Sequence, residues 1–391
     1  MQPMAGMRVL DFGRYIAGPW CAQLLQGYGA EVIRVERPSG AEDRSLFELG
    51  PGIDGAIVVH VNRGKRSVTV KPTTDAGRSV VGRLVATADV VVANLPEAAL
   101  ERMRLDWPTV HAAHPSVVLA TATMFGTTGP YRGRLGFDGV GQAMSGAIAT
   151  AGRPDDPVKS FVPWVDFQTG TALAGAVLAA LLERTTTGIG RRVEVDLLGS
   201  AVSAAGAILV EEAATGVGRA PTGNRHTAIG PSDVVPTADG AIITQVIGDA
   251  MFARWCELVG RADLIDDPRF GSDADRGANS EALTEVLADW CRTRTTDDVL
   301  AEMARADVPA GPVLKPTDAL DDPHLATLLE PVRVPGLDAP VPVPGHPVSV
   351  DGARLDLGDE LVPLGTDTDS VLAELGYEPA EVSALRASGT V

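Results

Sequence analysis

Cysteine is scarce in this 391-residue chain. Cys21, Cys256 and Cys291 lie far apart, with no CxxC pair. That spacing excludes a disulfide framework or a structural zinc cluster and fits a reducing compartment. Histidine is almost as rare, six scattered residues without an HExxH pattern, so a His-built metal site or triad has no support. Lysine occurs only at Lys65, Lys71, Lys159 and Lys315; arginine supplies the other cations, and its fork suits phosphate recognition. Basic residues are too few overall, 33 Lys and Arg against 51 Asp and Glu, a net charge of −18. A general nucleic-acid binder is excluded, because phosphate contacts carry most non-specific affinity. Long apolar runs are also missing. The longest uncharged helical candidate, Phe167–Leu182, falls short of the roughly 20 residues a bilayer span needs, and its Gly and Ala content suits a buried core helix. No signal-peptide core precedes Arg8-Val9-Leu10-Asp11-Phe12. A soluble, cytoplasmic protein with no membrane or nucleic-acid partner is expected.

What is present is an ordinary globular composition, 45% hydrophobic and 21% charged, enough for two or three domains. The charge is skewed: residues 1–150 carry a net +2 and the remainder −20. A small anionic ligand is better received by the first part. The same part has a βαβ rhythm, with strand Arg8–Phe12, helix Pro19–Tyr28 and strand Glu31–Glu36. The pattern repeats through strand Ser67–Val70, helix Asp75–Ala88, strand Asp89–Ala93, helices Glu97–Met103 and Trp107–Ala113, and strand Val117–Thr123. Such alternation predicts an α/β fold with a mostly parallel sheet. A helix is expected over about Phe137–Ala149, a long apolar one over Asp166–Arg184, a strand at Arg192–Asp196 and an apolar helix at Leu197–Ala214. Thr215–Pro236 reads as a Gly/Pro-rich crossing into a second domain with strands Ala241–Ile247 and Pro309–Leu314 and three amphipathic helices. Pro331–Val350 reads as a linker back to the first domain, and a helix pair closes the chain.

Standard phosphate and hydrolase motifs fail. Gly64-Lys65 resembles the end of a P-loop, but Val59 and Arg66 occupy the positions of the required Gly and Ser/Thr. No GxGxxG follows the first strand, and there is no GxSxG. A carboxylate is left as the expected chemical group.

An ordered series of segments then becomes informative. It includes Ala17-Gly18-Pro19, Gly29-Ala30-Glu31-Val32, Asn62-Arg63-Gly64-Lys65-Arg66-Ser67, Phe125-Gly126-Thr127-Thr128-Gly129-Pro130-Tyr131, Gly136-Phe137-Asp138, Gln142-Ala143-Met144-Ser145-Gly146, Val165-Asp166, Val308-Pro309-Ala310-Gly311-Pro312 and Leu364-Gly365-Thr366-Asp367. Over nearly its whole length the chain resembles the family III CoA-transferases, the CaiB/BaiF-like group of formyl-CoA and carnitine CoA-transferases. The resemblance implies a large Rossmann-like CoA-binding domain from residues 1–220 and 330–391. A smaller α/β domain with linkers (221–329) is inserted in it, within an interlocked homodimer. It implies transfer of CoA from an acyl-CoA to a free carboxylic acid, with CoA esters as substrates and no permanently bound cofactor or metal.

Asp166 matches the family's nucleophile, which attacks the thioester to form a mixed anhydride and then an aspartyl-CoA thioester. Starting a helix, it would feel the N-terminal dipole; the competing reading is a helix N-cap. Asp138 matches an acidic position near the nucleophile, holding a carboxyl group or exchanging a proton, or else capping the helix that follows it. Arg37 and Arg102 match contacts to the nucleotide end of CoA, against the alternative of solvated surface charges. Ala17 matches a cleft-lining backbone position at a helix start. Asn94 and Met103 match positions near the adenine or the pantetheine arm, and Arg134 is a further cationic candidate. Lys65 reads as structural. Trp20, Trp164 and Phe167 suit an acyl pocket or plain core packing.

Two other functions stay open at this point. One is a CoA-ester racemase of the α-methylacyl-CoA racemase type, although Phe137 stands where those enzymes place a proton-moving histidine. The other is a non-catalytic acyl-CoA binder. The chain also departs from its relatives: Leu95-Pro96-Glu97 replaces a segment that usually holds an Arg, the glycine run of formyl-CoA transferases is interrupted, and Ile16 replaces their glutamine. Oxalate or formate specificity is therefore not expected.

Overall fold

The computed structural model describes all residues, Met1–Val391. A six-stranded parallel sheet organises the larger of two compact units. Its strands are β1 (Arg8–Asp11), β2 (Glu31–Glu36), β3 (Arg66–Thr69), β4 (Val90–Ala93), β5 (Val118–Thr123) and β6 (Arg192–Asp196). They lie in the order β6-β5-β4-β1-β2-β3, every neighbouring pair parallel. This is the Rossmann order, and it reverses direction between β1 and β4.

Successive residues of each strand feed opposite cores, as period two requires. Val9, Val32, Val90, Val92 and Val118 face one layer with α1 (Ala17–Gly27). Leu10, Ile33, Val68, Val91 and Leu119 face the other, with α3 (Asp75–Ala86), α4 (Glu97–Met103) and α5 (Trp107–Ala113). A short helix, α2 (Ala56–Asn62), precedes β3. The sequence marks no element over this valine-rich run; in the fold Val58, Val59 and Val61 are fully or almost fully buried.

The remaining helices of this unit include the two that hold the candidate carboxylates, α6 (Asp138–Met144) and α7 (Trp164–Thr187), and α8 (Leu197–Ala204). At 24 residues α7 is longer than its sequence pattern indicates, and long and apolar enough to cross a membrane. It is a core helix instead: Val165, Thr169, Leu173, Ala174, Val177, Ala180 and Leu181 are buried at a three-to-four residue spacing. Gly170 lets it approach α1, since a Cβ there would lie 2.6 Å from the Ala17 carbonyl oxygen. The apolar stretch expected as one helix over Leu197–Ala214 is two, α8 and α9 (Gly206–Thr215), bent by 65°.

The chain's end covers the sheet edge. Asp367 Oδ2 and Thr368 Oγ1 accept the Ser67 and Thr69 N–H groups of β3 at 2.9 and 3.0 Å. Edge donors left open would invite pairing with another chain.

The larger unit comprises Met1–Ser145, Ser160–Ala207 and Thr327–Val391; the smaller comprises Gly146–Lys159 and Ile208–Ala326. The division thus falls at residue 207 rather than 220, and 146–159 joins the smaller unit. That unit has a three-stranded antiparallel sheet: Ser232–Pro236, Ala241–Gln245 and Ala310–Pro312. The first of these strands lies in the segment expected to be a crossing. Trp255, Phe252, Leu283, Leu287 and Met303 fill its core. The expected linker Pro331–Val350 instead contributes a hairpin, Leu329–Val332 with Val341–Pro344.

Candidate active site

Ligands of open α/β sheets bind beyond the strand C-termini where the order reverses. A cleft of about 630 Å³ lies there, lined by Phe12–Arg14 after β1, Val35–Ser39 after β2, Val70–Thr73 after β3 and Leu95-Pro96 after β4. Helix α4 adds Ala99, Arg102 and Met103. Four cations border the space: Arg14, Arg37, Lys71 and Arg102. Arg102 and the Lys71 ammonium have no protein partner. Arg37 donates to the Gly40 carbonyl at 2.6 Å, and Glu42 sits between Arg37 and Arg14 at 3.0 and 3.1 Å.

Beneath the cleft a buried ion network holds the loop after β2. Arg34 meets Asp43 at 2.9 Å and Glu36 at 3.1 Å, and Arg44 bridges Glu36 and Asp54 at 2.6 and 2.7 Å. Burial alone would raise the Glu36 carboxyl, but Arg34, Arg44 and the Ala41 N–H outweigh it and hold it down at about 2. Asp43 also accepts the Tyr15 N–H at 2.8 Å, fixing the β1–α1 loop, where Tyr15 has a left-handed backbone at φ 59°. Lys65 is buried against Asp11, the Pro19 carbonyl and Asn62 at 2.7, 2.8 and 2.9 Å. Its ammonium clamps β1, α1 and α2 together, a structural role.

The second part of the site is a carboxylate pair. Asp138 is the first residue of α6 and almost fully buried. Its Oδ2 accepts the Val165 and Asp166 N–H groups at 2.8 and 3.2 Å, and its Oδ1 accepts from Gln142 Nε2. Asp138 therefore caps α7, whose own N-cap residue, Pro163, offers no side-chain bond. Both capping readings from the sequence are corrected by this. Asp166 is the third residue of α7, not its N-cap, and Asp138 caps a different helix from the one it begins. The Asp166 carboxyl has no hydrogen-bond or ion-pair partner. Burial, and then the neighbouring Asp138 charge, push its pKa up to about 7. A resting Asp166 is thus partly protonated at neutral pH; the α7 N-terminus does not hold it firmly ionised.

Aromatic side chains surround the pair. Phe137 is exposed and meets Tyr15 edge-on at 5.6 Å, so a run of contacts leads from Arg14 in the cleft through Tyr15 and Phe137 to Asp138. Phe167, next to Asp166, packs on Trp20 at 5.3 Å and His60 at 5.6 Å. Burial, with Arg63 nearby, lowers His60 to about 4, so it is neutral, and it bonds to neither carboxylate.

Of the residues singled out from the sequence, Arg37, Arg102 and Met103 line the cleft, and Asp138 and Asp166 form the pair. Three are placed otherwise. Ala17 is buried in the first turn of α1, behind the lining. Asn94 engages both polar atoms with the Arg14 backbone, at 2.7 and 2.6 Å, shaping the loop rather than facing the cleft. Arg134 lies outside the cleft, over the Tyr131 ring at 4.4 Å. Lys71, Glu42 and Gln142 went unrecognised as site residues. Lys71 lies two residues past the end of β3 in the parallel sheet, and that position was the available signal.

A Rossmann-ordered sheet, a cationic cleft at its reversal point and a partnerless carboxyl nearby define an α/β enzyme built for an anionic ligand. The chain belongs to CoA-transferase family III, whose sequence model matches residues 4–368. A succinate–glutarate CoA-transferase of Agrobacterium fabrum is 33% identical over 387 residues, covering 95% of this chain and 96% of that one. A succinyl-CoA:mesaconate CoA-transferase of Haloarcula hispanica is 33% identical over 92% of this chain and 94% of its own. Among solved structures, a CAIB/BAIF family protein from Brucella suis superposes with a TM-score of 0.83 at 33% identity, covering 95% of this chain and 99% of that one. The mixed α/β architecture with a parallel central sheet is common to that group.

Proposed function

We propose that this family III CoA-transferase moves CoA between an acyl-CoA and a free carboxylic acid, with Asp166 as the covalent nucleophile. One observation carries the reading: of two adjacent carboxyl groups, Asp138 is fully bonded and Asp166 is left free. The ionised Asp166 oxygen attacks the thioester carbonyl, forming a mixed anhydride and releasing the CoA thiolate. The thiolate attacks the aspartyl carbonyl, giving an aspartyl-CoA thioester and the free donor acid. The acceptor carboxylate opens that thioester to a second anhydride. The thiolate then takes the new acyl group and restores Asp166.

Arg37, Arg102, Arg14 and Lys71 are the groups we assign to the phosphates, where charge-assisted bonds are strongest. Met103 borders the same cleft, and Ala17 and Asn94 act by shaping it. Arg134 is a weaker assignment because it stacks on Tyr131. The donor and acceptor class we favour is short dicarboxylic acids, since the named relatives use succinate, glutarate and mesaconate. Phe137 has no exchangeable proton, which argues against the racemase alternative. A homodimer in the cytoplasm completes the proposal. Ile208, Leu209 and Val210 are 38–70% exposed on α9, which buries no residue of its own, and a second copy is the occupant we favour.

The decisive experiment gives the protein succinyl-CoA and follows its mass. Wild type should gain a hydroxylamine-sensitive CoA adduct on the peptide containing Asp166, and Asp166→Asn should gain none and lose almost all turnover. Near-normal turnover in Asp166→Asn, or an adduct on Asp138, rejects the mechanism.

A further inference from the structure

Asp138 receives three N–H donors and Asp166 none, though the two side chains are neighbours. Two of those donors belong to the backbone of α7 and would reach any carboxylate placed there. The third comes from Gln142, one turn after Asp138 on α6 and 1% exposed. An amide can present either its nitrogen or its oxygen. Here the far end decides, because the Ser160 N–H donates to Gln142 Oε1 at 3.0 Å and the Ser160 carbonyl lies 3.4 Å from Nε2. The carbonyl is therefore turned to the segment preceding α7, and the NH₂ group faces Asp138. A donor in that place favours the charged form of the carboxyl it meets.

The helices and the strand packed against the pair bring no unpaired charge to it. Helices α1 and α8 carry no Asp, Glu, Lys, Arg or His, and the Cys21 thiol on α1 is buried. On β6, Arg192 pairs with Glu194 at 2.9 Å and Asp196 caps α8. On α7 itself, Glu183 pairs with Arg191 and Arg184 with Asp89, near the helix's other end. On α2, His60 is neutral.

We propose that Gln142 is a positioning residue for the transfer: it holds Asp138 as the ionised member of the pair and so keeps the exchangeable proton on Asp166. The inference rests on Asp166 being the nucleophile. Its consequence is a reactive anion that appears only as pH rises through the titration of Asp166, with one proton released to solvent. Asp138 meanwhile stays fixed as the cap of the helix that carries the nucleophile.

Two substitutions displace that titration in the same direction. Gln142→Met keeps the bulk and removes the donor, so the proton of the pair moves toward Asp138 and Asp166 ionises earlier. The acidic limb of kcat/KM should fall by about 0.5–1 pH. Gln142→Leu removes the same donor with a shorter apolar side chain and adds no charge. Its limb should fall by a similar amount. The KM for the CoA ester should hold in both, since α6 does not line the cleft. Limbs at the wild-type pH, with kcat falling in step with melting temperature, would overturn the proposal by reducing Gln142 to packing. If Gln142→Met does not fold, the limb of Gln142→Leu decides alone, downward in support and unmoved against. Asp166→Asn, assayed in parallel, separates the two ideas. High activity there removes the nucleophile itself, whereas an inactive Asp166→Asn with unmoved limbs removes only the role of Gln142.

Discussion

Asp166 is costly to the fold in proportion to its availability for chemistry. Its carboxyl ordinarily titrates at 3.8, and burial beside Asp138 moves it to about 7. A raised acid pKa means that the proton stabilises the native state. That contribution is complete below 3.8 and is lost as pH climbs through about 7. Asp166→Asn cannot ionise, so it should melt several degrees above wild type at pH 8.5, and the gap should close near pH 3.5. The displacement corresponds to at most ~4 kcal/mol at alkaline pH. Equal melting temperatures throughout would mean that the carboxyl is better solvated than its surroundings indicate. Beside the cleft, Glu42 pairs with the Arg14 and Arg37 guanidinium groups that a phosphate would use. Exposed pairs of this kind are worth about 0.2–1 kcal/mol, so Glu42→Gln should tighten CoA-ester binding two- to fivefold by calorimetry. Weaker binding would show instead that Glu42 aims Arg14 and Arg37. Arg37→Ala and Arg102→Ala should each raise KM about tenfold with little change in kcat, from charge-assisted bonds worth roughly 1.5–3 kcal/mol.

A helix without a cap of its own depends on whatever neighbour supplies one. Pro163 gives α7 no acceptor, so its first turn relies on Asp138, 27 residues upstream of Val165. Asp138→Ala leaves two α7 amides and the Gln142 NH₂ without a partner. Each buried orphan costs about 1–3 kcal/mol, so for three of them a loss of about 3 kcal/mol or more is expected in chemical denaturation. Hydrogen exchange should accelerate first in residues 162–170. Protection unchanged there would place the cap elsewhere. The same dependence explains why Asp166 is presented so consistently: α6 fixes the turn from which it projects.

For the whole chain, a net charge of −18 coexists with a cleft lined by four cations and little uncompensated acid. Field lines from such a cleft draw in an anionic ligand against the net repulsion, and salt screens both effects. Raising ionic strength from about 0.05 to 0.5 M, where the Debye length shrinks several-fold, should raise the KM for a CoA ester and leave kcat nearly constant. A KM indifferent to salt would argue against a phosphate role for Arg37, Lys71 and Arg102. The exposed apolar side chains of α9 make a second whole-molecule test. Light scattering should give twice the chain mass, and Val210→Asp should reduce it.

The sequence by itself determined what is written within a helical turn or a strand's length. The alternation of β1 to β6 with helices was legible because apolar periodicity and Gly or Pro boundaries are local. Asp166 and Asp138 stood out as candidates because their segments are short and occur in a fixed order, whereas Arg37 and Arg102 rested on positions matched through the resemblance. Even local signals failed where packing overrode them, as in the valine-rich α2, the break between α8 and α9, and the strand Ser232–Pro236 inside a Gly/Pro-rich stretch. The tertiary structure alone decided the strand order and hence the reversal point between β1 and β4, which turns four separate loops into one cleft. It also decided that Asp138 rather than Asp166 does the capping, and that Gln142 and Ser160 stand behind it. Those facts depend on groups 18 to 28 residues apart meeting at hydrogen-bond distance. A carboxyl's charge state follows from which donors surround it, and only the folded chain brings those donors together.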